Sequence, residues 1–296
     1  MYVIMGGTGR VGSAAANELL RRGEGVAIVT RHAAGAADWR ARGAEVVEAD
    51  VEDVSALRAA FRRGTRALLL NPPANIAKDT DKVERRTVAN ILAALHGSGL
   101  EKVVAVSTGG AQPGDRLGDL NVLWELEEGL RRQRIPAAIN RGAYYMSNWD
   151  SLLDTVRSNG VLPTMFPPDL KIPMVAPRDL GQAAAKRLLS PVEDTGIRYI
   201  EGPNRYSPAE VAEAFSRALG RSVELSAIPR GEWKNTFLQL GFSDAAATSY
   251  AQMTAVCVDS GFDLVDDPWR GSTSLEAYIH ELVAKSERSK LLGCAD

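Results

Sequence analysis

The sequence predicts an α/β protein with a doubly wound parallel sheet and a smaller, mostly helical C-terminal lobe. Through residue 145, short apolar segments alternate with helical patterns, which is typical of a parallel sheet covered by helices on both faces. The first apolar segment runs directly into a glycine-rich turn. Beyond residue 150, prolines and further helical patterns replace this alternation. We therefore expect a first domain over residues 1–150 and a lobe over residues 151–296, some of whose segments return to the sheet.

The composition argues against several classes of protein. The chain has 296 residues, 24% charged residues and a formal net charge of -2, so we expect neither nucleic acid nor a membrane surface as a partner. No apolar run approaches the ~18 residues of a membrane span. The first strand begins at residue 2, so we expect no targeting segment. Cys257 and Cys294 lack any CxxC or zinc spacing, which favours a reduced cytoplasmic setting, incidental thiols and no metal site.

The strongest motif lies between the first predicted strand, residues 2–5, and the first predicted helix, residues 13–22. It is the glycine-rich turn Gly6-Gly7-Thr8-Gly9-Arg10-Val11-Gly12. Glycines at its first, fourth and seventh places let the backbone turn tightly and approach a pyrophosphate, and the helix N-terminus supplies free N–H donors. We therefore expect these seven residues to bind the phosphates of a dinucleotide in a Rossmann fold.

Five more strands follow in the first 145 residues, each a short apolar segment bounded by polar residues or glycine. They are predicted at residues 26–29, 45–49, 67–70, 103–106 and 137–140. Apolar side chains at helical spacing predict the intervening helices at residues 36–42, 54–61, 88–95 and 121–132. Asp53 is expected to cap the second of these helices.

The C-terminal half has a different pattern. Five prolines between Val161 and Pro177 limit that segment to short strands and loops. A helix is predicted to begin near Asp179, and a strand that returns to the sheet is predicted at residues 197–200. Ser207 and Glu210 form a capping box with proline at the first helical position. A strand is predicted at residues 221–228, and helices are predicted at residues 232–240, 243–258 and 274–284.

The residues that distinguish NAD(H) from NADP(H) are expected at the end of the second strand. An acidic residue there binds the ribose hydroxyls of NAD, but this chain has Arg31 and His32 instead. Arg31 can pair with a 2′-phosphate, which favours NADP(H) over NAD(H); the alternative is a solvated surface cation. Asp50 and Val51, after the third strand, are expected to meet the adenine, unless Asp50 only caps the next helix.

Two further segments end strands at the carboxyl edge of the sheet, where open α/β sheets bind ligands. The adenosine ribose is expected beside Asn71, Pro72 and Pro73. The nicotinamide is expected beside Ser107 and Thr108, with Gly109 on the substrate side. Turn formation alone would also explain these prolines and glycines.

The catalytic chemistry is poorly specified. No tyrosine is followed four residues later by lysine, and no GxSxG or HExxH motif occurs. Tyr144 and Ser107 are weak catalytic candidates, because a tyrosine hydroxyl can donate a hydrogen bond to a carbonyl group. We expect the substrate pocket to contain Gly109, Trp124, Tyr144 and Tyr145; alternatively, both tyrosines only pack beneath the C-terminal lobe.

These motifs together resemble the NmrA-like group of atypical short-chain dehydrogenases. The similar segments are residues 6–12, Arg31, residues 71–73, residues 107–109, residues 140–148 and residues 177–181. The resemblance covers about the first 190 residues well and the remainder in outline. It implies a Rossmann fold with NADP(H), and either a quinone or isoflavone-type reductase or a regulator that binds the cofactor without turnover. Several reductases of the family carry a lysine where this chain has Trp124 or Glu125, so that catalytic role does not transfer.

We therefore hypothesise an NADPH-dependent oxidoreductase that transfers hydride to a small quinone or conjugated carbonyl compound. Quinones accept hydride without a dedicated enzyme acid, since solvent can protonate the product. The alternative is a non-enzymatic redox sensor that binds NADP(H) and acts through a protein partner. An epimerase or lyase is disfavoured because such chemistry ordinarily uses the missing tyrosine and lysine pair.

Overall fold

The computed structural model describes residues 1–293, so Cys294, expected to be an incidental thiol, lies outside the described residues. The strands in chain order are β1 (Tyr2–Met5), β2 (Val26–Thr30), β3 (Glu45–Glu48), β4 (Arg66–Leu69), β5 (Lys102–Thr108), β6 (Ala137–Gly142), β7 (Tyr144–Tyr145), β8 (Val161–Thr164), β9 (Ile172–Val175), β10 (Gly196–Glu201), β11 (Arg205–Tyr206), β12 (Glu224–Ala227) and β13 (Trp269–Arg270).

The helices alternate with the strands in the first half and predominate at the C-terminal end. They are α1 (Arg10–Arg21), α2 (Ala37–Ala41), α3 (Val54–Phe61), α4 (Thr80–Leu95), α5 (Asp119–Arg131), α6 (Leu153–Asn159), α7 (Pro177–Leu189), α8 (Pro208–Leu219), α9 (Trp233–Gln239), α10 (Asp244–Asp259) and α11 (Leu275–Gly293). The helix α3 is capped by Asp53 and α8 by the predicted capping box.

The main sheet has eight strands in the order β13-β10-β6-β5-β4-β1-β2-β3, and its paired strands run parallel. Alternate residues of each strand face opposite sides of the sheet, and both sides are covered. Ile4 packs with α1 and α7 on one side, whereas Val3 packs with α3, α4 and α5 on the other. Burial on both faces explains why the strands are continuously apolar, and the doubly wound Rossmann-type fold is confirmed.

The C-terminal part joins the sheet as well as forming its own core. The predicted return strand is β10, which pairs with β6 in parallel. The helix α7 crosses α1 at Gly181, where an added Cβ atom would lie 2.4 Å from the carbonyl oxygen of Val11. A separate apolar core joins α8 and α11 to the small sheets β11-β9-β7 and β12-β8. We retain the division near residue 150 as a proposal about the organisation of the chain.

Several boundaries differ from the sequence predictions for a common reason. The strand predicted at residues 103–106 extends to Thr108, and the strand predicted at residues 137–140 extends to Gly142. The two extensions pair with each other, because Ser107 lies opposite Arg141 and Thr108 lies opposite Gly142. Polar residues at a strand end look like a loop in sequence, but the neighbouring strand satisfies their backbone groups.

Helix α1 begins at Arg10, not at residue 13, so its first turn contains the end of the glycine-rich motif. The three two-residue strands β7, β11 and β13 have no counterpart in the predictions. Among residues 1–293, none of the helices combines the length and the apolar character that crossing a bilayer requires.

Candidate functional site

The carboxyl edge of the sheet opens into a cavity of about 1560 Å³ that extends into the C-terminal lobe. Of the residues expected to bind cofactor or substrate, most line this cavity: Gly6, Thr8, Gly9, Arg10, Val11, Gly12, Arg31, His32, Asp50, Val51, Asn71, Pro72, Pro73, Ser107, Thr108, Gly109, Tyr144 and Tyr145. Gly7 and Trp124 are not among the lining residues. The structure thus brings the carboxyl ends of six strands, β1 to β6, to one site.

The glycine-rich turn has the geometry that close approach of an anion requires. Gly6 has a φ of +61°, and its carbonyl oxygen accepts a hydrogen bond from the Gly9 N–H at 2.8 Å. An added Cβ atom at Gly12 would lie 2.2 Å from the same oxygen. Gly9 caps α1 without a side-chain hydrogen bond, and no acidic residue lies in the first turn. The N–H groups at this helix N-terminus fit a pyrophosphate.

Gly7 differs from the other residues of the turn. It packs against the sheet, and a Cβ atom there would lie 2.7 Å from the Ile28 side chain. The absence of a side chain at Gly7 therefore lets the turn pack closely against β2.

The residues after β2 and β3 form the polar end of the cavity. Arg31 and His32 are exposed and line it. The loop after them is fixed by Glu48, whose carboxylate accepts the Ala33 N–H at 3.1 Å. Asp50 accepts the backbone N–H of Glu52 within its own turn at 2.9 Å. The next helix is capped by Asp53, so capping does not account for Asp50.

Asn71 is held in the cavity wall by α4. Its side-chain nitrogen donates to the Glu84 carbonyl oxygen at 3.3 Å, and its side-chain oxygen accepts from the Thr87 hydroxyl at 2.6 Å. The same helix reaches the loop after Pro73, where the Glu84 carboxylate accepts the Ala74 N–H at 2.8 Å. This part of the wall is therefore fixed by hydrogen bonds as well as by the two prolines.

A buried ionic network lies behind the predicted nicotinamide side. Ser107 donates to the Glu127 carboxylate at 2.6 Å, and Arg141 donates to both oxygens of that carboxylate at 2.9 and 2.8 Å. Arg141 also contacts the Tyr199 hydroxyl at 2.9 Å and Asp263 at 3.3 Å. Burial opposes the guanidinium charge, but the bonds to Glu127 raise the pKa of Arg141 above its usual value. The Ser107 proton is thus engaged by Glu127, which weakens Ser107 as a catalytic candidate.

The two tyrosines after β6 have different surroundings. The Tyr144 ring lies 5.5 Å from Phe166, 5.9 Å from Trp149 and 6.4 Å from Phe262, measured between centroids. Tyr145 packs with the apolar layer beside α7. Burial raises the pKa of both hydroxyl groups, so both stay protonated at neutral pH and each can donate a hydrogen bond. Tyr144 lines the cavity and packs against these aromatic side chains, and its contact with a substrate stays a prediction.

The predicted substrate pocket includes Trp124, which lies in α5. The helix α5 turns its first residues to the cavity, and Asp119, Leu120 and Leu123 line it. Trp124 is not among the lining residues, and its place in the substrate pocket stays a prediction.

Sequence reasoning missed an acidic part of the cavity wall, formed by Asp119 of α5 and Glu84 of α4. Burial and the charge of Asp119 raise the pKa of Glu84 to about 7. Burial and Asp81 also raise the pKa of Asp119. In sequence, Asp119 lies before the helix predicted at residues 121–132, and Glu84 is one charge in a run of polar residues. Within residues 1–293, no group of histidine, cysteine, aspartate and glutamate has the arrangement of a metal site.

Curated relatives of this chain include an azoreductase and a nitrogen metabolite regulation-like protein. An NAD(P)H azoreductase of Xenophilus azovorans is 25% identical over 259 residues, which cover 86% of this chain and 87% of that protein. The nitrogen metabolite regulation-like protein bik4 of Gibberella fujikuroi is 25% identical over 281 residues, which cover 84% of this chain and 83% of that protein.

Solved structures share the fold along the whole chain. A triphenylmethane reductase of Citrobacter sp. superposes with a TM-score of 0.80 at 18% identity, covering 96% of this chain and 99% of that chain. An NADPH-dependent quinone oxidoreductase from Escherichia coli gives a TM-score of 0.77 at 21% identity, and the superposition covers 95% of this chain and 99% of that chain.

The sequence profile of the NmrA-like family matches residues 2–279. This range extends well beyond the 190 residues that carry the resemblance in sequence. It contains the glycine-rich turn and the strand ends around the cavity, and most of the C-terminal part of the chain. The chain belongs to the NmrA-like family.

Proposed function

We propose that the chain is an NAD(P)H-dependent oxidoreductase, specifically an NADPH-dependent enzyme that transfers hydride to a small quinone or conjugated carbonyl compound. The observation that carries this proposal is the single cavity that joins the glycine-rich turn to an aromatic pocket in the C-terminal lobe. The azoreductase relative supports a reductase rather than a protein that only binds nucleotide. We propose a cytoplasmic enzyme with a small-molecule substrate, without nucleic acid or membrane as a partner.

The cofactor is proposed to lie along the carboxyl edge of the sheet. Its pyrophosphate would meet the N-terminus of α1, and Arg31 would pair with the 2′-phosphate. Asp50, Val51 and residues 71–73 would contact the adenosine half, while Ser107 and Thr108 would contact the nicotinamide half. When bound, this cofactor supplies a hydride ion, and the chain supplies orientation and a site shielded from water.

The substrate is proposed to lie between the strand ends and the lobe. Tyr144, Phe166 and Phe262 line this part of the cavity from one side. On the other side, Phe237 and Phe242 pack with Tyr250 at centroid distances of 5.6 and 4.9 Å from the tyrosine. Such walls suit a flat conjugated molecule, because aromatic rings stack on it or meet it edge to face.

Turnover by the purified protein tests this proposal directly. We expect the protein to consume NADPH in the presence of at least one member of a panel of quinones and conjugated carbonyl compounds. The loss of NADPH absorbance measures this consumption. Protein denatured by heat is the control. Tight NADPH binding without turnover across the whole panel would contradict the proposed reaction.

The preference for NADP(H) is tested with Arg31→Ala. A charge-assisted hydrogen bond to phosphate contributes about 1.5–3 kcal/mol, so the Kd for NADPH should rise roughly 10- to 100-fold. The Kd for NADH should stay within about twofold, because NADH has no 2′-phosphate for Arg31 to bind. Calorimetric titration of both cofactors measures the two effects. Equal affinity of the unmodified protein for NADH and NADPH would refute the preference.

A second candidate function is an NADP(H)-dependent regulator that acts through a protein partner. One contact favours it: Arg10 in the glycine-rich turn forms an ion pair with Asp150 and donates to the Tyr278 hydroxyl of α11 at 3.0 Å. A ligand at the turn would thus act directly on the C-terminal helix. Capture of a specific partner with only one of NADP⁺ and NADPH would support this alternative, and identical capture with both would contradict it.

A further inference from the structure

One acidic side chain faces the proposed substrate from the first turn of α5. Asp119 lines the cavity and keeps an accessible surface there. Within residues 1–288, no side chain forms an ion pair or hydrogen bond with its carboxyl group. When ionised, it raises the pKa of Tyr145 at the end of β7 and of Tyr250 in α10, so it lies near both of these cavity-lining residues. Asp119 therefore lies between the strand ends and the aromatic side of the lobe.

The groups around Asp119 oppose its ionisation. Asp81 and Glu84 lie on the adjacent helix α4, and both are almost wholly buried. Both carboxylate oxygens of Asp81 lack a hydrogen-bond partner. Tyr145 and Tyr250 are neutral, and the nearby cation Arg116 gives its hydrogen bond to Asp79. The surrounding protein desolvates the Asp119 carboxyl group and the charge of Asp81 opposes its ionisation, so the pKa of Asp119 is raised although its side chain is exposed to the cavity.

We propose that the Asp119 carboxyl group is the catalytic acid that protonates the substrate as hydride reaches it. This inference rests on the proposed reductase function. In the reduction of a quinone, a bound nicotinamide cofactor would supply the hydride, whose electron pair forms the new bond to the quinone. The displaced electron pair collects on a carbonyl oxygen, and that oxygen takes the Asp119 proton to give the neutral hydroquinone. In an azo compound the N=N π electrons move to the second nitrogen, which takes the proton. Solvent then returns a proton to Asp119.

Acceptors that differ in their need for a proton separate this role from others. A cationic triarylmethane dye becomes neutral on accepting hydride alone, whereas a quinone also needs a proton. Asn is uncharged and similar in shape to protonated aspartate, but it cannot give up the proton. Asp119→Asn should therefore lower kcat for quinones by about 100-fold and change dye reduction less than about twofold.

Two further measurements make the expected result specific. For the unmodified protein, quinone reduction should slow as pH rises through the pKa of Asp119, because the protonated form is the active one, and dye reduction should not follow that profile. In the protein alone, the infrared C=O band of protonated carboxyl groups should weaken in Asp119→Asn over the pH range in which quinone reduction is fastest. Asp119→Glu should restore part of the quinone activity. Asp115→Asn, in the exposed loop before α5, is the matched control and should leave both activities unchanged.

Each contrary outcome has a distinct meaning. If Asp119→Asn reduces quinone as fast as the unmodified protein, Asp119 is not the acid, although the reductase function stands. If it loses both activities equally with a higher KM for the dye, Asp119 binds the substrate as an anion and the inference is wrong. If the unmodified protein reduces neither acceptor, the inference falls together with the proposed function.

Discussion

Replacing Gly12 with alanine is expected to raise the Kd for NADPH by about 100-fold or more, equivalent to ~2.7 kcal/mol of binding free energy. The new Cβ atom would lie 2.2 Å from the Gly6 carbonyl oxygen, 2.6 Å from the Gly6 carbonyl carbon and 3.0 Å from the Gly7 nitrogen. All three are backbone atoms, so no side-chain rotation relieves the clash. The turn must open, and its N–H groups then no longer point at a pyrophosphate.

This expectation is opposite to the one from helix propensity. Alanine is favoured over glycine by about 1 kcal/mol inside a helix, and Gly12 lies within α1. Contact with the turn outweighs propensity at this position. Gly35→Ala is the matched control, because a Cβ atom there meets nothing within 4 Å. Fluorescence titration with NADPH measures the affinity, and circular dichroism checks that the fold is retained. Unchanged affinity in Gly12→Ala would show that the cofactor does not use this turn.

The contrast between the two halves of the chain shows what the sequence predicts well. The strands around Ile4 were predictable because both faces of the sheet are buried, which leaves a continuous apolar segment in the sequence. The caps at Asp53 and Ser207 were predictable because each bond spans only three residues. The expected site residues share a cavity because parallel strands bring their carboxyl ends to one edge.

The features that the sequence did not predict depend on distant contacts. Ser107 and Glu127 are 20 residues apart and meet through helix packing, and Asp263 approaches Arg141 from 122 residues away. Asp119 acquires its character from burial and from Asp81 on another helix. The interacting residues are far apart in sequence, so no local motif predicts these contacts. Which residues of α5 line the cavity also depends on how the helix packs against the sheet, and Leu123 lines it whereas Trp124 does not.

The network around Glu127 gives the second large expected effect. Glu127→Ala removes the partner of the buried Arg141 guanidinium and the acceptor of the Ser107 hydroxyl. An unpaired buried charge costs about 3–5 kcal/mol, so the melting temperature should fall by on the order of 10 °C. Thermal unfolding followed by circular dichroism measures this loss. Glu128→Ala is the matched control: it lies next to Glu127 in α5 and pairs with Arg131 near the surface, so it should cost less than about 1 kcal/mol.

A double variant separates the stability of this network from its role in the site. Glu127→Leu with Arg141→Met replaces both charges with apolar side chains, and such replacements of buried ion pairs are often neutral or stabilising. We therefore expect the double variant to recover most of the stability that Glu127→Ala loses. We expect NADPH turnover to stay low, because Ser107 is then no longer held by Glu127 at the end of β5. Recovery of both properties would show that the network only stabilises the fold. Similar melting temperatures for Glu127→Ala and Glu128→Ala would show that the buried charges contribute little to stability.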